Sequence, residues 1–522
     1  MRRLPADQAS QRNPSNEPTS IAFRGILLLV GLGVGWRLIR YALCFPFWGD
    51  EAYLNLSILH RGYQELLAPL EYAQIAPLLF LWIQRTALLI FGGGEYSLRL
   101  FSLLAGVAAL LLFARLAWTQ LNALPATIAI GVFSCTYALV RHTCESKPYG
   151  GDLLAATVLV WAASRWLSDP GCWRAALRVT AAAGVLIWLS YPAAFVAGGI
   201  SLALLASIIR RRSKHAWLPW ACYNAVIVGN FALFFLVFAG PHAQRASGSW
   251  LEEYWQDAFP PWQSLALLVW LVKTHTGNML AYPFGGPHFG STLTALLCIA
   301  GVVELVRLGR GSTVWLWLAP AVPALVAAAL HRYPYGDSVR VSIYFAPAIC
   351  LLIGSGVAPL VGRALYPSMR PVALSVILGL LVLIPVVGAV RDIVHPYKAW
   401  EEQAGRCAMH DLASQLGTNP AVVIYNAPEG THGPPDGPAF YQTLRYYFEL
   451  YMGVRPRWRT EGGLDPSAEW LLVYAGPKFG PDRERVRSIA AEAGLAITPE
   501  REFVLSRNAP VRLDVYRCQP TP

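Results

Sequence analysis

Pro77-Leu78-Leu79-Phe80-Leu81-Trp82-Ile83-Gln84-Arg85-Thr86-Ala87-Leu88-Leu89-Ile90-Phe91 is an apolar run with an amide and a guanidinium at its middle. At 1.5 Å per residue, about 15 residues of helix cover roughly 23 Å, short of a ~30 Å hydrocarbon core. The stretch therefore predicts an amphipathic helix lying on the membrane surface, not a span. With that choice Arg2, Arg3, Arg115, Arg165, Arg174, Arg178, Arg210, Arg211, Arg212, Lys214, Arg307, Arg310, Arg363 and Arg370 all fall on one side of the bilayer. That side is the cytoplasm by the positive-inside rule. If the run crossed, every later basic cluster would flip outward.

Composition supports a membrane setting. Hydrophobic residues make up 55% of the 522, and only 14% are charged, against roughly 25% in soluble domains. Mean hydropathy is +0.41. The 19 Trp and 23 Tyr suit a headgroup belt. The net charge of +11 lies largely in short loops between apolar runs, which reads as an orientation signal and a preference for phosphate or anionic lipid. No long basic block or nucleic-acid motif is present, so nucleic acid is not expected as a partner.

Eleven runs approach span length: 23–45, 98–117, 122–140, 152–168, 177–191, 193–209, 217–239, 291–308, 313–330, 341–358 and 371–390. Region 260–282 is apolar enough to dispute. The expected fold is an α-helical polytopic membrane protein of about eleven transmembrane helices, with surface helices in the first outer loop. Residues 1–20, polar and rich in Pro, Asn, Gln and Ser, are expected to be a disordered cytoplasmic N-terminus. Residues 21–390 form the transmembrane domain, inserted in the inner (plasma) membrane. Pro46–Leu98, Arg141–Asp152, Gly240–Gly290 and His331–Arg340 then face outward, as does residue 391 onward.

From Arg391 charges become frequent and apolar runs shorten to strand length. Helices are predicted over Trp400–Gly417, Ala439–Met452 and Pro481–Gly494, and strands over Ala421–Tyr425, Glu469–Ala475, Glu502–Ser506 and Val511–Arg517. The alternation predicts a small extracytoplasmic α/β domain over 391–522. Its Gly430–Pro438 loop lacks the GxxxxGK[ST] phosphate pattern and reads as a connector. The nine Cys form no CxxC pair. In an oxidising compartment Cys407 and Cys518 could pair as a disulfide; the alternative is two separate thiols.

Three outward segments carry chemistry. In Phe47-Trp48-Gly49-Asp50-Glu51-Ala52-Tyr53, adjacent carboxylates follow an aromatic stretch of interfacial type. Such a pair at a membrane surface must face water or cations, and a carboxylate there can take a proton from a hydroxyl. Arg141-His142-Thr143-Cys144-Glu145-Ser146-Lys147-Pro148-Tyr149-Gly150-Gly151-Asp152 sets Glu145, Lys147, Tyr149 and Asp152 within eight residues. Interfacial anchoring explains Arg141 and Tyr149 but not carboxylates on both sides of Lys147-Pro148. His331-Arg332-Tyr333-Pro334-Tyr335-Gly336-Asp337-Ser338-Val339-Arg340 puts positive charge outside, against the topology rule. Arg332 and Arg340 either bind a phosphate or pair with Asp337. Arg37 and Arg40 share one face of the first helix; they either snorkel or meet an anion. Lys273 and His275 are a weaker pair. His142 and His331 lack the HxxxH or HxH spacing of metal ligands.

The ordered set Trp48-Gly49-Asp50-Glu51-Ala52, Ala76-Pro77-Leu78-Leu79-Phe80, Glu95-Tyr96-Ser97-Leu98-Arg99-Leu100-Phe101-Ser102, Glu145-Ser146-Lys147-Pro148-Tyr149 and His331-Arg332-Tyr333-Pro334-Tyr335-Gly336 spans about residues 25–360. In it the chain resembles the GT-C superfamily of integral membrane glycosyltransferases. It is similar to the protein O-mannosyltransferase and lipid A aminoarabinose transferase branch, and most of all to bacterial enzymes that glycosylate lipopolysaccharide cores. The resemblance implies the GT-C fold, a polyprenyl-phosphate sugar donor and an active site facing away from the cytoplasm. It also implies an acceptor that is an envelope glycan, glycolipid or protein. Relatives often carry His-Pro-Pro or Lys-Pro-Pro where this chain has Ile75-Ala76-Pro77, so a basic contact supplied there is missing here.

On this basis the expected activity is that of an inverting glycosyltransferase. Asp50 is the expected general base, with Glu51 beside it orienting the acceptor or pairing with Lys147. Lys147, Arg332, Arg340, Arg37 and Arg40 are the expected phosphate ligands. Glu145, Tyr149, Asp152, His331 and Tyr333 are expected to bind sugar or acceptor. The scheme requires no cofactor and has room for a divalent metal bridging phosphate and carboxylate. A ligase or polymerase of lipid-linked glycans is the close alternative. A transporter or flippase would place its ionisable groups near mid-membrane with internal repeats, and a non-catalytic scaffold would not need the acidic pair.

Overall fold

The computed structural model describes residues 20–521 except 73, 247–252, 263–264, 365, 367, 396–398, 417–421, 426–437, 454–456, 460–463, 465, 476–482 and 506–511. The N-terminal segment 1–19 and most of the Gly430–Pro438 loop therefore lie outside the described residues. The chain divides into two compact units. The first holds 1–42, 75–83 and 99–391; the second holds 43–74, 84–98 and 392–522.

The first unit is helical. Each of the eleven apolar runs is helix, but the helices break where the sequence dictates. Helix α1 covers Ser20–Ala42. The 122–140 run is two helices, Ala123–Cys135 and Tyr137–His142, parted at Thr136 by an extended φ/ψ of −69°/113°. The Thr136 hydroxyl turns back onto the Val132 carbonyl at 2.6 Å, a local bond that competes with the helical ladder. A π turn at Phe235–Ala239 precedes Gly240-Pro241, and a second at Leu360–Ala364 follows Pro359. Each lies beside a proline, which lacks the N–H that the helical ladder uses. Among the described residues seven helices are long and apolar enough to cross a membrane. Ala123–Cys135 is shorter. The disputed 260–282 region contains only an 11-residue helix, Ala266–Thr276.

Small residues let these helices approach closely. A Cβ on Gly301 would overlap the Leu352 carbonyl oxygen, and one on Gly356 would overlap that of Leu297. Helices Thr292–Arg307 and Ala346–Pro359 thus meet backbone to backbone. On its other face Ala346–Pro359 sets Gly354 against the Pro125 carbonyl. This is small-residue packing, the means of association when lipid supplies no hydrophobic drive.

The second unit joins three distant stretches of chain. Its C-terminal part is a five-stranded sheet: β1 Val422–Tyr425, β2 Arg457–Arg459, β3 Trp470–Ala475, β4 Leu495–Val504 and β5 Arg512–Pro520. Their order is β2-β1-β3-β5-β4. β1 pairs parallel with β2 and β3, and β5 pairs antiparallel with β3 and β4. Alternate residues Leu471 and Val473, with Tyr516 and Cys518, close on Val486 and Ala490 of helix Arg483–Glu492. Two strands differ from the sequence expectation. β2 is a charged three-residue edge that carries no apolar alternation. β4 starts at Leu495, seven residues before Glu502, because ladder pairing with β5 holds its charged stretch, with a bulge at Pro499/Arg501. The Cys407–Cys518 pairing is not formed. Both thiols are free, because Cys518 points into the sheet core while Cys407 is exposed on helix Ala399–Leu416.

Candidate active site

In the second unit the acidic pair opens helix α2, Gly49–His60. Trp48 is extended at the N-cap, and its N–H donates to Glu51 Oε2 at 3.4 Å. A helix N-terminus favours both carboxylates, but their surroundings differ. Glu51 is wholly buried, whereas Asp50 is partly exposed. Burial and then the Asp50 charge raise the Tyr53 phenol well above its ordinary value, so Asp50 and Tyr53 are neighbours. The Tyr53 ring lies 5.3 Å from that of Tyr72, and Tyr72 takes a hydrogen bond from Arg445.

The segment leading into α2 is held by residues some 350–400 positions away. The Phe47 N–H donates to the Tyr447 hydroxyl at 2.8 Å, and that hydroxyl donates to Glu95 Oε1 at 2.6 Å. Glu95 also receives Arg406 at 2.7 Å, which reaches the Cys44 carbonyl at 3.0 Å. The Thr443 hydroxyl donates to the Phe47 carbonyl at 3.3 Å, and Tyr446 donates to the Gly93 carbonyl at 2.6 Å. At the far end of α2, His60 and Arg445 both bind the buried Glu449. Glu95 lies in a motif quoted above without a role, and none of its C-terminal partners is singled out by the sequence. The only sign was the aromatic density of Tyr441–Tyr451.

The first unit gathers cations. Arg37 is fully buried. Its Nη1 donates to the Gly33 carbonyl at 2.9 Å and the Ser134 carbonyl at 3.4 Å. Its Nε and Nη2 have no hydrogen-bond partner among the described residues. The Cys144 thiol donates to the Arg37 carbonyl at 3.5 Å. Burial pushes that thiol up to about 11, against the pull of Arg40, Arg37 and Arg99. Three guanidiniums therefore act on one residue of the Arg141–Asp152 segment. Arg40 also lies 5.6 Å from the Tyr137 ring centre. Arg99 lies in the motif Glu95–Ser102, quoted above without a role.

Glu145 is tied within its own turn, to Arg141 Nε at 2.8 Å and His142 Nδ1 at 2.9 Å. Burial would raise its carboxyl, but His142 and Arg141 together hold it well below the carboxylate range. Its carboxylate is thus paired within its own turn. The His142 ring packs against Tyr149 at 5.3 Å. Lys147 is buried, and its carbonyl takes the Ser102 hydroxyl at 3.0 Å. Asp152, in the first turn of helix Tyr149–Ser168, is buried beside Ser190, and its Oδ1 has no hydrogen-bond partner among the described residues. Burial and then the Asp152 charge raise the Tyr333 phenol, and its hydroxyl donates to the Val341 carbonyl at 3.2 Å.

The third segment splits. Arg340 acts electrostatically on His142, bonds the Tyr254 hydroxyl at 2.7 Å and lies 5.1 Å from the Trp255 ring centre. It joins the cluster around the second segment. His331 and Arg332 are exposed. His331 has a left-handed φ of 53° and stacks on Phe259 at 4.6 Å. His275 bonds the Tyr335 hydroxyl at 3.0 Å, while Lys273 is exposed. Among the described residues no three His, Cys, Asp or Glu side chains gather as metal ligands would.

Residues 76–238 match the sequence profile of the family described as dolichyl-phosphate-mannose-protein mannosyltransferase. No curated protein is matched by sequence. Among solved structures, ArnT from Cupriavidus metallidurans bound to undecaprenyl phosphate is 12% identical, with 94% of this chain and 97% of that chain covered, at a TM-score of 0.57. ArnT in the apo state gives 12%, 95%, 98% and 0.54. The archaeal oligosaccharyltransferase AglB from Archaeoglobus fulgidus gives 13%, 87%, 69% and 0.47. The chain is a multi-pass membrane protein of the GT-C fold, ArnT-like along its length and carrying the mannosyltransferase-family pattern over residues 76–238.

Proposed function

We propose that this protein is an inverting glycosyltransferase. It moves a sugar from a polyprenyl-phosphate donor to a hydroxyl of an envelope glycolipid, polysaccharide or protein, on the extracytoplasmic face of the inner membrane. The observation that carries this reading is buried Arg37. A guanidinium in an apolar interior with two nitrogens lacking partners is costly, and an anion arriving among Arg37, Arg40 and Arg99 would relieve that cost. The ArnT-like fold is consistent with it.

In the reaction the acceptor oxygen bonds to the anomeric carbon from the face opposite the phosphate. The carbon–oxygen bond to phosphate breaks, and its electron pair leaves with the polyprenyl phosphate. Asp50 takes the acceptor proton late, as bond breaking leads. Its partial exposure beside Tyr53 suits a base that must meet an incoming hydroxyl, whereas buried Glu51 suits holding the helix start. Arg37, Arg40, Lys147 and Arg340 stabilise the leaving phosphate. Arg332, being exposed, acts at the entrance. Asp152, Tyr149 and Tyr333 hold the sugar, His331 lines the acceptor approach, and Glu145 fixes the turn that carries Lys147.

Asp50→Asn is expected to abolish sugar transfer in isolated membranes while insertion and thermal stability stay normal. Transfer at the parental rate would remove Asp50 as the base. Mass spectrometry of envelope glycolipids, glycans and glycoproteins after gene deletion identifies sugar and acceptor, as a loss of one sugar mass.

A further inference from the structure

We infer that the C-terminal domain sets the position of the Asp50 carboxylate, with Tyr447 and Arg406 as positioning residues; this rests on the reading of Asp50 as base. A hydrogen-bonded chain runs from the backbone of the acidic segment into the domain. The Phe47 N–H donates to Tyr447 Oη at 2.8 Å, Tyr447 donates to Glu95 at 2.6 Å, and Arg406 closes on Glu95 at 2.7 Å. Phe47, Tyr447 and Glu95 are buried, so these bonds are strong and their loss is not repaired by solvent.

The chain grips the segment at two points. Thr443 holds the Phe47 carbonyl and Tyr447 holds its N–H, so one residue is fixed at both main-chain polar groups. The Phe47 ring lies edge-on to Tyr446 at 5.2 Å and stacks with Tyr447 at 6.2 Å. Trp48 follows as the N-cap and Asp50 sits in the first turn. Only Trp48 and Gly49 lie between Phe47 and Asp50. At the other end of α2, His60 meets Glu449 from the same helix Pro438–Met452. The acid-bearing helix is therefore clamped at both ends by one helix of the C-terminal domain.

The physical consequence is in the turnover step. A displaced base loses orientation, and displacements near 1 Å can cost on the order of 100-fold. Tyr447→Phe removes both bonds and keeps the ring. It is expected to lower kcat on the order of tenfold with the donor KM unchanged. Arg406→Lys, which keeps the charge on Glu95, should retain most of the activity, whereas Arg406→Met should match Tyr447→Phe. Val473→Ala loosens the sheet core without touching the clamp. It should lower the melting temperature and leave kcat intact below it.

Tyr447→Phe with parental kcat, or with a raised KM and unchanged kcat, overturns the positioning role. So does a Val473→Ala protein whose kcat falls as far as that of Tyr447→Phe at equal folded fraction. Asp50→Asn is measured alongside. Full activity in that variant defeats the base assignment itself, whatever Tyr447→Phe does.

Discussion

The two buried arginines of α1 show how a residue's cost exposes its purpose. Replacing a purely structural buried cation usually destabilises, because its partners are stranded. Arg37 strands few: Gly33 and Ser134 offer only backbone carbonyls. Arg37→Met is therefore expected to leave the melting temperature in detergent unchanged or raised, and to raise the donor KM on the order of tenfold. A large loss of stability with unchanged KM would make Arg37 structural. Glu145 is the opposite case. Its carboxyl lies below the ordinary 4.5 because His142 and Arg141 outweigh burial. A depressed carboxyl stabilises fully above the unfolded value and loses that contribution as pH falls through the folded one. Glu145→Gln should cost on the order of 3 kcal/mol at pH 7. In thermal melts the gap from the parent should close only well below pH 4.5.

At the scale of elements, the decisive contacts are between backbones. Gly301 and Gly356 admit the carbonyls of Leu352 and Leu297. A valine at either position cannot be accommodated by a side-chain rotation. Gly356→Val is expected to cut the yield of folded protein and lower the melting temperature by several degrees, read by size-exclusion and thermal unfolding in detergent. Such crossings are invisible in a single sequence, where a glycine in an apolar run carries no partner's name. The runs themselves were legible, because 3.6-residue helices in lipid need long apolar stretches. Their breaks at Thr136 and before Pro241 were not, since hydropathy is blind to local hydrogen bonding. Strand β2 escaped for a related reason: Arg457-Trp458-Arg459 is held by its parallel neighbour and has no pattern of its own.

For the molecule as a whole, motif order was enough to indicate the GT-C fold. Arg37, Arg40 and the Cys144 turn do come together, as do Arg340 and His142. The sequence could not reveal that the first loop belongs with the last quarter of the chain. Glu95 to Arg406 and Phe47 to Tyr447 are separations that no periodicity reaches. This connectivity has a consequence for biosynthesis. The acidic loop leaves the ribosome hundreds of residues before the helix that grips it. During elongation the loop waits without its clasp, which the chain supplies only once helix Pro438–Met452 has been made. A chain cut short before Pro438 therefore lacks Thr443, Tyr447 and Glu449, and with them the bonds that reach Phe47 and His60.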